Sequence, residues 1–207
     1  MYKESTNVVV KHLINRLRDS RTTSNEFRLT IEEIARIIAC EALDNYPTVT
    51  TNIDTWQGPL DVQVIEVQKL VLVPILRAGE PMLTGILRTL PYARSGFLAM
   101  KRDEDTAESK LFYENIPNLE DKTVLLLDPM VATGGSLIDG IDYLKSKGAK
   151  KIISLNLLGA PEGIKKVQDA HPDVDIFIAQ IDKRLDENNY IRPGLGDAGD
   201  RAFNTND

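Results

Sequence analysis

Cysteine is all but missing from this 207-residue chain: Cys40 stands alone, so no internal disulfide framework braces the fold. Histidine is nearly as scarce. His12 and His171 lie far apart, offer no metal-ligand spacing, and are both read as structural. No apolar run approaches the roughly 18 residues of a membrane span; the longest, residues 70–76, has the length of a buried strand and contains Pro74. The first residues lead into no long apolar stretch, so no secretory signal is expected, and no Asn-x-Ser/Thr acceptor occurs. Both favour a reducing cytoplasm. Positive charge is also in short supply: 25 Lys and Arg against 31 Asp and Glu leave −6 at pH 7, which argues against a nucleic-acid binder. Any phosphate this chain holds must therefore be held by local geometry, not by a broad basic field.

What is present is an ordinary globular composition, 42% hydrophobic and 27% charged, arranged as alternating strand and helix patterns over one expected domain, residues 1–207. Residues 1–28 carry six Lys or Arg against three Asp or Glu around Val8, Val9, Val10, Leu13, Ile14 and Leu17, and read as an amphipathic arm packed on the body or on a neighbouring subunit. A helix follows, with Thr30 and Glu33 as capping box and Ile31, Ile34, Ala35, Ile38 and Ala42 at helical spacing; Cys40 within it is read as an inert core residue. Residues 48–61 read as a turn or hairpin around Gly58-Pro59. Strands are expected at 70–76, 96–100, 123–127, 152–158 and 176–181, with helices at 82–90 and 136–147 and from Pro161. That alternation predicts an α/β fold with a mainly parallel sheet flanked by helices, and ligands at the carboxyl ends of its strands. Residues 101–110 hold seven charged side chains and read either as a solvated loop or as a lid, over 101–113, directly after a strand end; the segment 190–207, with Pro193, Gly194, Gly196 and Gly199, shows neither helical nor strand period.

The strongest single signal is the run from the apolar strand at 123–127 through Asp128, Pro129, Met130, Val131, Ala132, Thr133, Gly134, Gly135 and Ser136 into a helix. Hydroxyls and unencumbered backbone N–H groups at a helix start make a phosphate cradle without lysine. A Walker A loop is excluded, because Gly135 and Gly140 have its spacing but Ile141 stands where lysine is required. Asp128 is placed to accept hydrogen bonds from sugar hydroxyls beside the phosphate. The G-x-G-x-x-G pattern at Gly194, Gly196 and Gly199 is a false friend: eight residues follow it, too few for the helix and return strand of a dinucleotide site.

Residues 128–136 closely resemble the phosphoribosyl-diphosphate motif of type I phosphoribosyltransferases, and the Asp-Pro form, without a second acidic residue, is similar to that of the uracil phosphoribosyltransferases. Residues 73–79 look like that family's pyrophosphate loop and 100–104 like the start of its flexible loop. Residues 160–164 with 170–174 resemble its later helix, and 190–201 its uracil-binding C-terminus. The resemblance implies a type I phosphoribosyltransferase fold with an N-terminal arm and a C-terminal hood over the base. It also implies transfer of a phosphoribosyl group to uracil, giving UMP and diphosphate in pyrimidine salvage.

The roles it implies are these. Residues 132–136 hold the 5′-phosphate, and Asp128 holds the ribose. Arg77 and Arg102 clamp the diphosphate, with a Mg²⁺ held mainly by the substrate. Backbone groups of Ile191, Gly196, Asp197 and Ala198 read the uracil edge, and the Asp197 carboxylate lies near the ribose and diphosphate, the plainer alternative being a capping Asp in a glycine turn. Lys110 could reach the diphosphate, although a solvated lysine is the plainer reading. No residue stands out as a general base. Two departures from the family pattern are Glu80-Pro81 beside the pyrophosphate loop and Arg192 beside Ile191, a pair that could compensate each other. Asp182, Asp186 and Glu187 read as a solvated turn. The family commonly forms dimers or tetramers, here expected through residues 1–28, and some members respond to GTP. Rival readings are a nucleotide-sensing RNA-binding regulator, a sister enzyme for a purine or orotate, and an interaction protein on a nucleotide-binding fold.

Overall fold

The apolar run Leu70–Leu76 forms a strand whose alternate residues feed two separate cores: Leu70 and Leu72 pack into one, Val71 and Val73 into the other. The run 123–127 does the same, with Leu125 and Leu127 on the first side and Val124 and Leu126 on the second. Burying each such side chain is worth about 1.5–3 kcal/mol, and a sheet covered on both faces needs near-continuous apolar strands of this kind.

The computed structural model describes residues 1–102 and 109–205, with 101, 102, 109 and 110 in backbone only. In chain order the elements are β1 (Tyr2–Glu4), α1 (Val8–Arg18), α2 (Ser24–Ala42), β2 (Thr48–Thr55), β3 (Gly58–Ile65), β4 (Leu70–Leu76), α3 (Glu80–Thr89), β5 (Arg94–Ser95), β6 (Phe97–Arg102) and β7 (Ser109–Asn115). They continue as β8 (Thr123–Leu127), β9 (Met130–Val131), α4 (Gly135–Ser146), β10 (Lys151–Gly159), α5 (Pro161–Ala170), β11 (Asp175–Ile181), β12 (Arg184–Leu185), β13 (Ile191–Arg192) and α6 (Ala198–Phe203). The central sheet runs β1-β11-β10-β8-β4-β6-β7, with β5 beside β4 and β9 beside β10. Every pairing in it is parallel except β6 with β7. Residues of α1, α2, α3 and α6 enter the first core, and those of α4 and α5 enter the second. Among the described residues no helix is long and apolar enough to cross a membrane.

The expected α/β class and mainly parallel sheet are observed, and three local expectations are corrected. The helix expected from Thr30 begins seven residues earlier: Thr23 and Glu26 form the capping box, and Thr30 is buried mid-helix, its hydroxyl donating to Glu26 O at 2.7 Å. Thr30 and Glu33 share the local pattern, but Phe27 and Thr30 extend the buried stripe of α2 and pull the start upstream. Cys40 is exposed, because it lies off that stripe, two residues past Ile38. The lid expected at 101–113 is, in its described part, the ends of β6 and β7, while 103–108 lie outside the described residues. β7 is an edge strand, where charge is tolerated and discourages stray pairing. The C-terminal segment does contain a helix, α6, capped by Asp197, whose Oδ1 accepts from Asp200 N at 2.8 Å.

The arm expected over 1–28 packs on its own body, with Val10, Ile14 and Leu17 wholly buried.

Candidate active site

Three neighbouring strands end on the same edge of the sheet. β8 runs in register with β4 (Pro74 beside Leu127) and β4 with β6 (Leu76 beside Ala99), so Asp128, Arg77 and the backbone of Arg102 follow the carboxyl ends of three neighbouring strands, each staggered about two residues beyond the last. The chain leaves β4 towards β6 on one side and returns to β8 on the other, the switch point where parallel sheets open a crevice.

Asp128 is held from several directions. Its backbone N–H donates to Leu155 O at 3.2 Å, and its C=O accepts from Asn156 Nδ2 at 2.6 Å. Asn156 Oδ1 in turn accepts from Ser154 Oγ at 2.8 Å, both residues being wholly buried within β10. The side chain accepts from Met130 N at 3.2 Å. Burial pushes the Asp128 carboxyl up to about 6, against a smaller lowering by the Met130 N–H. The sequence reading missed Ser154 and Asn156, two polar residues inside an otherwise apolar strand.

Downstream, Gly134 caps α4 at φ 77°, and a Cβ there would lie 2.8 Å from Gly163 O, so only glycine makes this turn. The first N–H groups of α4 have no partner within the helix and point with its dipole into a cleft of about 190 Å³. The cleft is lined by Asp128, Met130, Ala132, Thr133, Gly134, Gly135, Ser136, Leu137 and Asn189. Asn189, reaching it from the turn between β12 and β13 at φ 63°, was not foreseen; a single Asn in a polar turn carries no sequence signal for such a role. Pro129 is buried and Val131 pairs with β10, so these two shape the cradle from beneath.

Arg77 is exposed and bonds the C-terminal helix region: Nη2 donates to Asp200 Oδ1 at 3.2 Å and to Thr205 Oγ1 at 3.3 Å, and the guanidinium lies 6.0 Å from the Phe203 ring. A pair this exposed is worth about 0–1 kcal/mol, so an anion of higher charge can displace it. The contact joins the turn after β4 to the segment that carries Asp197, Ala198 and Ile191. Ile191 and Ala198 are buried, whereas Gly196 and Asp197 are exposed. Arg102 ends β6, with its side chain outside the described residues, as is that of Lys110.

The expected compensation between Glu80 and Arg192 is not formed. Glu80 accepts from Thr84 Oγ1 at 2.8 Å, and Arg192 is bonded to Asp186. Asp182, read from sequence as part of a solvated turn, is instead buried and paired with Arg18. His171 is buried with Nδ1 3.2 Å from Lys145 Nζ, a structural setting.

Among the described residues no group of three or more His, Cys, Asp or Glu could hold a metal ion. Among the described residues lining the cleft, Asp128 is the one carboxylate. One carboxylate fits a Mg²⁺ carried in by a diphosphate with its own waters, and does not make a protein cage for the ion.

The comparisons agree with this geometry. The family model described as uracil phosphoribosyltransferase matches residues 4–205. Curated uracil phosphoribosyltransferases from Shouchella clausii and Clostridium acetobutylicum are each 44% identical over 198 residues, 95% of this chain and 95% of theirs. The solved structure of the AQ2163 protein from Aquifex aeolicus superposes with a TM-score of 0.96 at 36% identity, covering 99% of both chains. A hypoxanthine-guanine phosphoribosyltransferase from Bacillus anthracis, at TM-score 0.52 and 15% identity over 81% of this chain and 83% of that one, shares the fold. A family model matched over 4–205 and relatives 44% identical over 95% of the chain establish that this chain belongs to the uracil phosphoribosyltransferase family.

Proposed function

We propose that this chain transfers the phosphoribosyl group of 5-phospho-α-D-ribose 1-diphosphate to uracil, releasing diphosphate and forming UMP for pyrimidine salvage. The observation that carries the reading is the convergence of a lysine-free phosphate cradle, a buried carboxylate and an arginine at adjacent strand ends, in contact with the C-terminal segment. In this reading the N–H groups of residues 132–136 take the 5′-phosphate at the start of α4. Asp128 accepts hydrogen bonds from the ribose hydroxyls. The C1–O bond to diphosphate loosens first, leaving a sugar with oxocarbenium character, and negative charge grows on the leaving group, where Arg77 and Arg102 meet it. A Mg²⁺ brought in with the diphosphate would supply further neutralisation, with Asp128 as the carboxylate beside it. N1 of uracil then bonds to C1, and the N1 proton leaves to solvent.

Positioning does most of the work, since no general base is required for so acidic an N–H. Uracil presents acceptor, donor, acceptor along its edge. Backbone groups at Ile191, Gly196, Asp197 and Ala198 that match it leave an N–H unpaired against the amino group of cytosine. The exposed Asp197 caps α6 with one oxygen and is proposed to face the ribose and diphosphate. Equal amounts of UMP and diphosphate formed from the two substrates test the reading, with a parallel arm containing GTP as proposed activator; RNA binding without turnover contradicts it. The single cysteine supports a cytoplasmic setting.

A homodimer or homotetramer is also proposed, and the hairpin offers a supporting surface besides the arm at 1–28. Val49, Ile53, Leu60 and Val64 share one face of the β2–β3 pair and are exposed, with Trp56 92% exposed at the tip. The other face is polar: Thr48 donates to Gln63, Gln63 to Thr50 and Asn52 to Asp61. A two-stranded ribbon with one bare apolar face is marginal alone and is stabilised by a second copy. Ile53→Asp with Leu60→Lys should lower the sedimenting mass to that of a monomer; a wild type already monomeric at tens of micromolar, or an unchanged variant, contradicts this assignment.

A further inference from the structure

A buried ion pair outside the cleft, used in no step above, grips the segment assigned to the base. Asp182, at the carboxyl end of β11, is 5% exposed, and its N–H donates to Gly159 O at 2.8 Å. Arg18, the last residue of α1, meets it with both terminal nitrogens, Nη1 to Oδ2 at 2.8 Å and Nη2 to Oδ1 at 2.6 Å. The same two side chains hold residue 194 from both sides. Gly194 N–H donates to Asp182 Oδ2 at 2.8 Å, and Gly194 C=O accepts from Arg18 Nη1 at 2.6 Å. Gly194 sits at φ 68°, and a Cβ there would meet Ile191 O at 2.1 Å, so the chain turns sharply where it is gripped. Arg201 extends the attachment: it donates to Leu195 O and Asp19 O at 2.7 Å each and to Leu17 O, with its guanidinium 4.3 Å from the Phe27 ring. The end of α1 therefore fixes residues 194 and 195, immediately before 196–198.

Two charges taken out of water gain little net stability over a well-packed apolar pair. What the pair adds here is direction, since bidentate geometry leaves the Gly194 N–H and C=O one orientation. We propose that Arg18 and Asp182 are positioning residues for base recognition, setting the backbone of 195–198 before uracil arrives. The proposal rests on the reading that Ile191 and residues 196–198 bind uracil.

The test compares wild type with Arg18→Lys, Asp182→Asn, and the charge-free double variant Arg18→Met with Asp182→Leu, the last expected to fold because neither charge is left unpaired. The uracil KM should rise about tenfold to a hundredfold in all three, since small displacements at a recognition edge cost that much. The KM for phosphoribosyl diphosphate should stay within about twofold and kcat at saturating uracil within about threefold, the split that separates lost base positioning from general damage. A uracil KM unchanged in the folded double variant or in Arg18→Lys, or all three parameters failing together, overturns the proposal. Photo-crosslinking of 4-thio-UMP to wild type keeps the two readings apart. A label within 190–203 with an unchanged uracil KM in the variants overturns the clamp alone, and a label elsewhere overturns the base-site reading and the clamp with it.

Discussion

Arg77→Ala should lower kcat by about a hundredfold to a thousandfold, the usual cost of removing one preorganised donor from a site where negative charge develops. Arg77 stands at the end of β4, next to the strand that delivers Asp128, and its present partners are weak and exposed. Diphosphate can draw the guanidinium away from Asp200 and Thr205 at little cost. The loss falls on kcat and on the KM of the diphosphate substrate, with the uracil KM nearly unchanged. Arg77→Lys should recover only part of the rate, because an ammonium keeps the charge but not the planar fork. Steady-state kinetics with each substrate varied in turn checks this; activity within about threefold of wild type in Arg77→Ala would place the leaving group elsewhere.

Asp128→Asn should abolish most turnover and yet make the protein more stable at pH 7. The folded-state carboxyl titrates at about 6, above the 3.8 of an ordinary Asp, because burial disfavours its charged form. A raised acid works against the fold once ionised. The destabilisation is absent below about pH 3, where the group is protonated in both states, grows as pH rises through 3.8 towards 6, and is complete by about pH 7. Two units correspond to about 3 kcal/mol at most, or a rise of at most about 6–12 °C in melting temperature for a chain of this size. Asparagine keeps an acceptor for the Met130 N–H while removing the charge. Thermal melts of both proteins from about pH 3 to 8 should converge at the acid end and separate towards neutrality. A variant less stable than wild type at pH 7 would mean that Asp128 is not held at an energetic cost for function.

The parts of this account that lie in contiguous residues were legible in the sequence. The strands at 70–76 and 123–127, and the cradle between Asp128 and Ser136, are each specified by local apolar pattern and turn chemistry. What escaped depends on partners distant in the chain. Asp182 reads as a solvated turn residue until Arg18, 164 positions away, is brought against it. Ser154 and Asn156 interrupt an apolar strand for no local reason, and their purpose shows only when β10 lies beside β8 and bonds the Asp128 carbonyl. Helix α6 is six residues long with Gly199 inside it, too short for a periodic signal, and is held by Asp197 and the contacts of Arg201. Thr23 and Thr30 carry the same capping pattern, and tertiary burial of Phe27 decides between them.

The most direct measurement is nucleotide formation by the purified chain with phosphoribosyl diphosphate and Mg²⁺, given uracil, cytosine, orotate, hypoxanthine and adenine in separate reactions. The account predicts UMP from uracil alone, with stoichiometric diphosphate. Silence on every base, with and without GTP, or a nucleotide formed from another base instead, would contradict it.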